Sequence, residues 1–102
     1  MLFFSVRTQI IQPPVDTKVI LSSNAELQCK VSHDPAVPYY IHWYFGNKEI
    51  FPSSGGRIQI LPDGSLRIGQ ARNTDVGIYS CKVFSEGGNE TRSARLDVIG
   101  RH

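Results

Sequence analysis

Short runs of alternating apolar and polar residues recur along this chain, and proline, glycine, asparagine and aspartate separate them. Such alternation is typical of half-buried β-strands, and no stretch has a helical period over a useful length. In residues 25–31, for example, Leu27, Cys29 and Val31 point to one side and their neighbours to the other. The pattern predicts about eight strands: a first strand in two parts at 7–12 and 18–21, then 25–31, 39–45, 49–51, 57–61, 65–68, 77–85 and 92–99.

The breaks between these runs have the chemistry of turns. Pro13-Pro14 divides the first strand, because proline has no N–H to donate to a neighbouring strand. Pro62-Asp63-Gly64 predicts a hairpin turn between two short strands. Short strands at regular spacing, without an internal repeat or linker, predict a single all-β domain, a two-sheet Greek-key sandwich.

Two cysteines, a tryptophan and a tyrosine have a recognisable spacing in this chain. Cys29 comes first, Trp43 follows, and the segment Asp-Val-Gly-Ile-Tyr-Ser-Cys occupies 75–81. Its tyrosine lies two residues before the second cysteine, the position of a tyrosine corner. The order and spacing of these residues resemble the immunoglobulin superfamily, whose two sheets are joined by a disulfide beside a buried tryptophan.

The resemblance is to the intermediate, I-set type of immunoglobulin domain, and it covers residues 7–99. Residues 63–68 resemble the E-strand signature of that type, and the short stretch after 45 has room for one small additional strand. His-Asp-Pro at 33–35 and the segment 87–96 resemble neural cell-adhesion proteins of the sidekick, contactin and L1 types, the sidekick group most of all. We therefore expect one I-set domain at 7–99, with 1–6 and 100–102 as flanking or expression-derived segments.

The resemblance also implies structural roles for several side chains. It implies a disulfide between Cys29 and Cys81, with Trp43 in the core. It implies an ion pair between Arg57 and Asp75, for which attraction across a partly buried turn gives a physical reason. Tyr79 is expected to be structural as well.

Composition limits the classes of function. The chain has 102 residues, enough for one domain, and a net charge of +2 from scattered basic residues. That charge does not favour a nucleic-acid partner. The apolar runs are far shorter than the roughly 20 residues that cross a bilayer, so we expect no membrane insertion by this segment. Residues 1–6 are too short for a signal peptide, and we expect a domain from a longer protein, with Met1 added for expression.

The cysteines and a sequon bear on the compartment. A cysteine pair placed for an inter-sheet bridge favours an oxidising, extracellular environment, although reduced cysteines also pack well in cytosolic cores. Asn89-Glu90-Thr91 is an N-glycosylation sequon beside Gly87-Gly88, where a turn would expose Asn89. We expect an extracellular, cell-surface domain that is glycosylated at Asn89; an unmodified asparagine that simply favours a turn is the alternative.

Residues with catalytic or metal-binding chemistry do not form a recognisable site. His33, His42 and His102 are too scattered to suggest a zinc site. Serines occur, but none lies in a nucleophile elbow, and the glycine pairs lack the following helix that binds phosphate. Asp75 is more readily a turn residue than an acid or a metal ligand. We expect no enzyme, no metal and no cofactor.

The outer face of one predicted sheet is the candidate binding surface. Aromatic and polar side chains alternate outward there in the strands 39–45, 77–85 and 92–99, a composition typical of interface hot spots. An alternative is that the neighbouring short strand and long side chains cover these aromatics. The candidate residues are Tyr40, His42, Tyr44, Lys82, Phe84 and Arg95.

We therefore expect a non-catalytic extracellular module of a multidomain, membrane-anchored protein that acts in adhesion or protein recognition. The resemblance implies a neural context, a homophilic or heterophilic protein partner, and neighbouring immunoglobulin or fibronectin type III modules. A structural I-set repeat of an intracellular muscle or scaffold protein is one alternative. A ligand-binding domain of a receptor kinase or phosphatase is another.

Overall fold

A computed structural model describes residues 7–100 of the chain. These residues form ten β-strands and a 3-10 turn at Asn73–Asp75. The strands are β1 (Gln9–Gln12), β2 (Thr17–Ile20), β3 (Ala25–Leu27), β4 (Lys30–Ser32), β5 (Tyr39–Phe45), β6 (Lys48–Glu49), β7 (Ile58–Ile60), β8 (Leu66–Ile68), β9 (Gly77–Ser85) and β10 (Glu90–Ile99).

The strands form the two layers of a sandwich, so the predicted fold class is confirmed. One layer is a five-stranded sheet in the order β2-β10-β9-β5-β6, in which β2 and β10 are parallel. The other layer contains β3-β8-β7 and the pair β1-β4. Pro13-Pro14 separates β1 from β2, which lets the first strand begin in one layer and continue in the other.

Ten strands form instead of about eight, partly because the predicted strand 25–31 is divided. Its first part, β3, pairs with β8, and its second part, β4, pairs with β1. The run therefore changes its partner strand at residues 28–29, and these two residues are not part of a strand. The predicted strand 49–51 is also wrong in its bounds, because the short strand β6 ends at Glu49. The backbone N–H of Ile50 still donates to the carbonyl of Trp43, but Phe51 lies beyond the sheet and is 80% exposed.

The core lies between the two layers. Trp43 is opposite Cys81 in the antiparallel pairing of β5 and β9, and both are completely buried. Cys81 forms a disulfide with Cys29, which links β9 to the segment between β3 and β4 in the other layer. The predicted disulfide is therefore present. The remaining buried core residues are Ile10, Ala25, Leu27, Leu66, Ile68, Tyr79, Val83 and Leu96.

Candidate functional site

The side chains of Arg57, Asp75 and Tyr79 make structural contacts around the 3-10 turn. Arg57 donates two hydrogen bonds to Asp75, from Nη1 to Oδ2 at 2.7 Å and from Nη2 to Oδ1 at 3.0 Å. The backbone N–H of Arg72 donates to the same Oδ2 at 2.8 Å. The hydroxyl of Tyr79 donates to the backbone carbonyl of Asp75 at 2.6 Å, as in a tyrosine corner.

These contacts shift the pKa values of Asp75, Arg57 and Tyr79. Burial by itself would raise the pKa of Asp75, but the hydrogen bonds from Arg57 and from the backbone of Arg72, with the positive charge of Arg57, outweigh it and hold the pKa below the ordinary value. The hydrogen bond to Asp75 raises the pKa of Arg57 in turn. Burial raises the pKa of Tyr79, so its hydroxyl remains a donor at neutral pH. All three groups therefore stabilise the turn and are not free to react.

Strand pairing brings the six candidate binding residues onto the outer face of the five-stranded sheet. Tyr40 pairs with Phe84, and His42 pairs with Lys82. Tyr44 lies one row lower, opposite Ser80 of β9 and Glu49 of β6. We call this surface the outer face and describe it in rows from the β9–β10 turn downward. The row below Tyr44 contains Ile78 and Arg95, which are paired.

Direct contacts hold several side chains of the outer face in place. The ammonium of Lys82 lies 4.3 Å from the centroid of the Tyr44 ring, a cation–π contact. His42 packs edge-on against Phe84, with 5.4 Å between ring centroids. The Nδ1 atom of His42 and the Oε2 atom of Glu49 are 2.6 Å apart. The middle of the outer face is therefore ordered before any partner arrives.

The neighbouring strand does not cover the aromatic residues of the top row. Tyr40 is 64% exposed and Phe84 is 39% exposed. His42 and Tyr44 are half-buried, because Glu49 of β6 and Lys82 contact them. Arg95 is exposed, and its Nε donates to Asp97 at 3.0 Å. Neighbouring side chains therefore cover His42 and Tyr44 in part, as the alternative proposed, but they leave Tyr40 and Phe84 in the top row exposed.

Sequence reasoning missed one apolar member of this surface. Ile78 is 46% exposed and faces outward in β9, below Ser80. The same alternation that assigned Ser80, Lys82 and Phe84 to the outer face also assigns Ile78, so the signal was in the sequence. Ile20 and Ile99, which pair at the end of β2 and β10, are also half-exposed.

Asn89 lies in the turn between β9 and β10 and is exposed. Its Oδ1 accepts a hydrogen bond from the backbone N–H of Ser85 at 3.1 Å. Ser85 is the last residue of β9, so this bond closes the hairpin at the top of the outer face.

In residues 7–100, no group of three or more His, Cys, Asp or Glu side chains could hold a metal ion. Among the same residues, no helix is long and apolar enough to cross a membrane. His33 contacts the backbone carbonyls of its own loop, at Asp34 and Val37, and His102 lies outside the described residues.

Comparisons with known proteins agree with this architecture. Residues 8–98 match the immunoglobulin I-set domain model. The chain is 59% identical over 95 residues to Protein sidekick of Drosophila melanogaster, covering 92% of the chain and 4% of that protein. It is 47% identical over 93 residues to Protein sidekick-1 of Homo sapiens, covering 91% of the chain and again 4% of the relative. The chain thus spans a small part of these relatives.

Solved structures show the same fold. An immunoglobulin domain in a complex of titin M10 with obscurin-like 1 superposes with a TM-score of 0.84 at 24% identity, covering 97% of this chain and 99% of that one. Tandem Ig repeats of Dlar superpose with a TM-score of 0.79 at 26% identity, covering 92% of this chain and 49% of that one.

Proposed function

The chain belongs to the immunoglobulin I-set family, and on that premise we propose that it is a non-catalytic extracellular module of a multidomain cell-surface protein. Its role is adhesion or protein recognition. The observation that carries this proposal is the outer face, where aromatic, apolar and charged side chains lie together on a rigid sheet. The similarity to sidekick proteins, over nearly the whole chain, supports a setting in neural cell adhesion.

The mechanism follows from the rigidity of the scaffold. The disulfide and the core keep β5, β9 and β10 in register, and the Lys82–Tyr44 contact positions two candidate residues directly. A surface that is already ordered loses little conformational entropy on binding. Tyr44 and Ile78 would provide apolar contact area, Lys82 would provide charge in the middle of the patch, and Arg95 would provide charge in its lowest row.

An extracellular location is part of the proposal. The buried disulfide is stable in an oxidising compartment, and the exposed sequon at Asn89 fits a secreted or cell-surface protein. The same disulfide argues against the intracellular muscle or scaffold repeat. A receptor with an intracellular kinase or phosphatase would use the same outer face.

The test uses the full-length protein displayed on cells. Tyr44→Ser combined with Lys82→Glu alters the centre of the outer face, and Arg67→Glu makes a similar charge change on the exposed face of the opposite layer. We expect the first variant to weaken binding about tenfold, which corresponds to about 1.4 kcal/mol, and thereby to reduce cell aggregation, and the control to leave aggregation unchanged.

Mixing labelled cells that carry the protein with cells that lack it distinguishes a homophilic from a heterophilic contact. If cells with the protein join only each other, the contact is homophilic; if they join cells without it, the contact is heterophilic. Unchanged aggregation by the Tyr44/Lys82 variant, with normal surface expression, would show that this module only spaces its neighbours and would refute the binding role of the outer face.

A further inference from the structure

The hairpin of β9 and β10 brings the sequon level with the exposed aromatic row. Glu90 pairs with Val83, and the backbone N–H of Gly88 donates to the carbonyl of Ser85, which continues the register and puts Asn89 level with Phe84. On its other side, Phe84 pairs with Tyr40. The hydrogen bond from Ser85 to Asn89 ties the asparagine to the end of the strand that carries Phe84. Asn89, Phe84 and Tyr40 therefore form the top row of the outer face.

We propose that Asn89 carries an N-linked glycan and that its first sugar packs on Phe84 and Tyr40. The proposal rests on the extracellular location proposed above. Nδ2 of Asn89 forms a bond to C1 of an N-acetylglucosamine, supplied as a polyprenyl-diphosphate-linked oligosaccharide by the transferase of the secretory pathway. The bond between C1 and the diphosphate oxygen breaks, the lipid diphosphate leaves with the electron pair, and the amide loses one proton to a base of that transferase.

The folded geometry suits this product. The glycosidic bond forms at Nδ2, whereas the contact with Ser85 uses Oδ1, so the hairpin hydrogen bond remains after modification. Thr91, the third residue of the sequon, faces outward beside Lys82 and is exposed. A substituent at Asn89 therefore extends from the turn without displacing a buried group.

The aromatic row gives the sugar a specific surface. A pyranose ring has a face of C–H groups, and such a face packs favourably on an aromatic ring that is otherwise exposed to water. Tyr40 is the most exposed aromatic residue of the outer face. Because Ser85 holds the asparagine in place, less freedom is lost when the sugar settles on Phe84.

The consequence for recognition is a division of the outer face. The glycan covers the Tyr40–Phe84 row, and protein contacts are confined to the rows below it. These rows contain Tyr44, Lys82, Ile78 and Arg95. The glycan would thereby define the upper border of the protein-binding surface.

A matched pair of variants tests the proposal. The chain is secreted from eukaryotic cells as Thr91→Ser, which keeps the sequon, and as Thr91→Ala, which removes it; both keep Asn89 and its hydrogen bond. Endoglycosidase trims the glycan to one N-acetylglucosamine, and a glycopeptide mass establishes its position. We expect the single sugar to raise Tm by about 2–6 °C relative to Thr91→Ala.

A second substitution measures how much of this rise in Tm depends on the aromatic row. In a Phe84→Ser background, we expect the sugar to raise Tm by less than a third of that amount. Ile78→Ser is the control, because it removes an exposed apolar side chain from the same strand and face two rows below Lys82. The sugar should keep its full effect there.

Each outcome has a defined meaning. An unmodified peptide containing Asn89 would overturn the glycan site. A glycan with no effect on Tm, or with the same effect after Phe84→Ser, would overturn the packing on the aromatic row. Neither result depends on cell aggregation by the Tyr44/Lys82 variant, so failure of the glycan proposal and failure of the recognition proposal remain distinguishable.

Discussion

The indole Nε1 of Trp43 donates a hydrogen bond to the backbone carbonyl of Gly64 at 2.8 Å. The bond links the middle of β5 to the turn between β7 and β8 in the opposite layer. Gly64 has φ of +93°, and a Cβ at that position would lie 2.5 Å from Cδ1 of Ile41 and 2.7 Å from the carbonyl oxygen of Cys29. Only glycine allows the turn to lie this close to Ile41 and Cys29.

We predict that Gly64→Ala lowers the free energy of unfolding by about 3 kcal/mol, because left-handed backbone strain and a steric clash add together. Gly46→Ala is the control: its φ is +58°, but no atom lies within 4 Å of the added Cβ. That variant should lose only about 1 kcal/mol. Urea unfolding measures both values, and equal losses would contradict the steric argument.

Tyr79→Phe tests the tyrosine corner. The change removes the hydrogen bond to the carbonyl of Asp75 and leaves that acceptor without this donor. We expect the free energy of unfolding to fall by about 1–2 kcal/mol. Tyr40→Phe, which alters an exposed hydroxyl, should change stability by less than about 0.5 kcal/mol. Thermal unfolding of both variants at neutral pH provides the comparison, and an unaffected Tyr79→Phe would show that the bond contributes nothing.

The pair of Arg57 and Asp75 predicts a loss of stability in acid. The pKa of Asp75 is lower in the folded state than its ordinary value of 3.8. Its contribution is therefore complete above about pH 4 and is lost as the pH falls through the folded pKa. Asp75→Asn should lower stability at pH 7 by about 2 kcal/mol and flatten the decline below pH 4.

The control for the acid experiment is Asp97→Asn, which breaks an exposed pair with Arg95. A pair of this kind contributes about 0–1 kcal/mol. Hydrogen bonds from Ser65 also lower the pKa of Asp63. Every variant therefore still loses some stability in acid. An Asp75→Asn protein with the wild-type pH profile would contradict the assignment.

The disulfide predicts a large effect of reduction. Cys29 and Cys81 are 52 positions apart, and closing a loop of that length stabilises the folded state by about 4 kcal/mol in the chain-entropy model. A protein with Cys29→Ala and Cys81→Ala should lose about that amount. Its urea midpoint should not respond to a reductant, whereas the midpoint of the unchanged protein should fall.

The bounds of the central strands were predictable from the sequence. Residues 39–45 and 77–85 were assigned as strands and are β5 and β9. Both have neighbours on each side in the five-stranded sheet, so each is held as a strand along its whole length. Strands at the margins were harder to delimit, because their ends depend on a partner and not on their own alternation. Residues 49–51 and 25–31 are two examples.

Alternation along the strands is a local property of the chain and was sufficient to predict the sandwich, and the family resemblance carried by the spacing of Cys29, Trp43 and Cys81 implied the disulfide. Alternation assigns a side chain to a face but does not say which residue of another strand lies beside it. Neighbours on a sheet follow from the register between strands that are distant in sequence. That register placed Lys82 over Tyr44 and brought Asn89 level with Phe84. The residues of the candidate surface were therefore predictable from the sequence, whereas the contacts within that surface and its upper border followed only from the pairing of the strands.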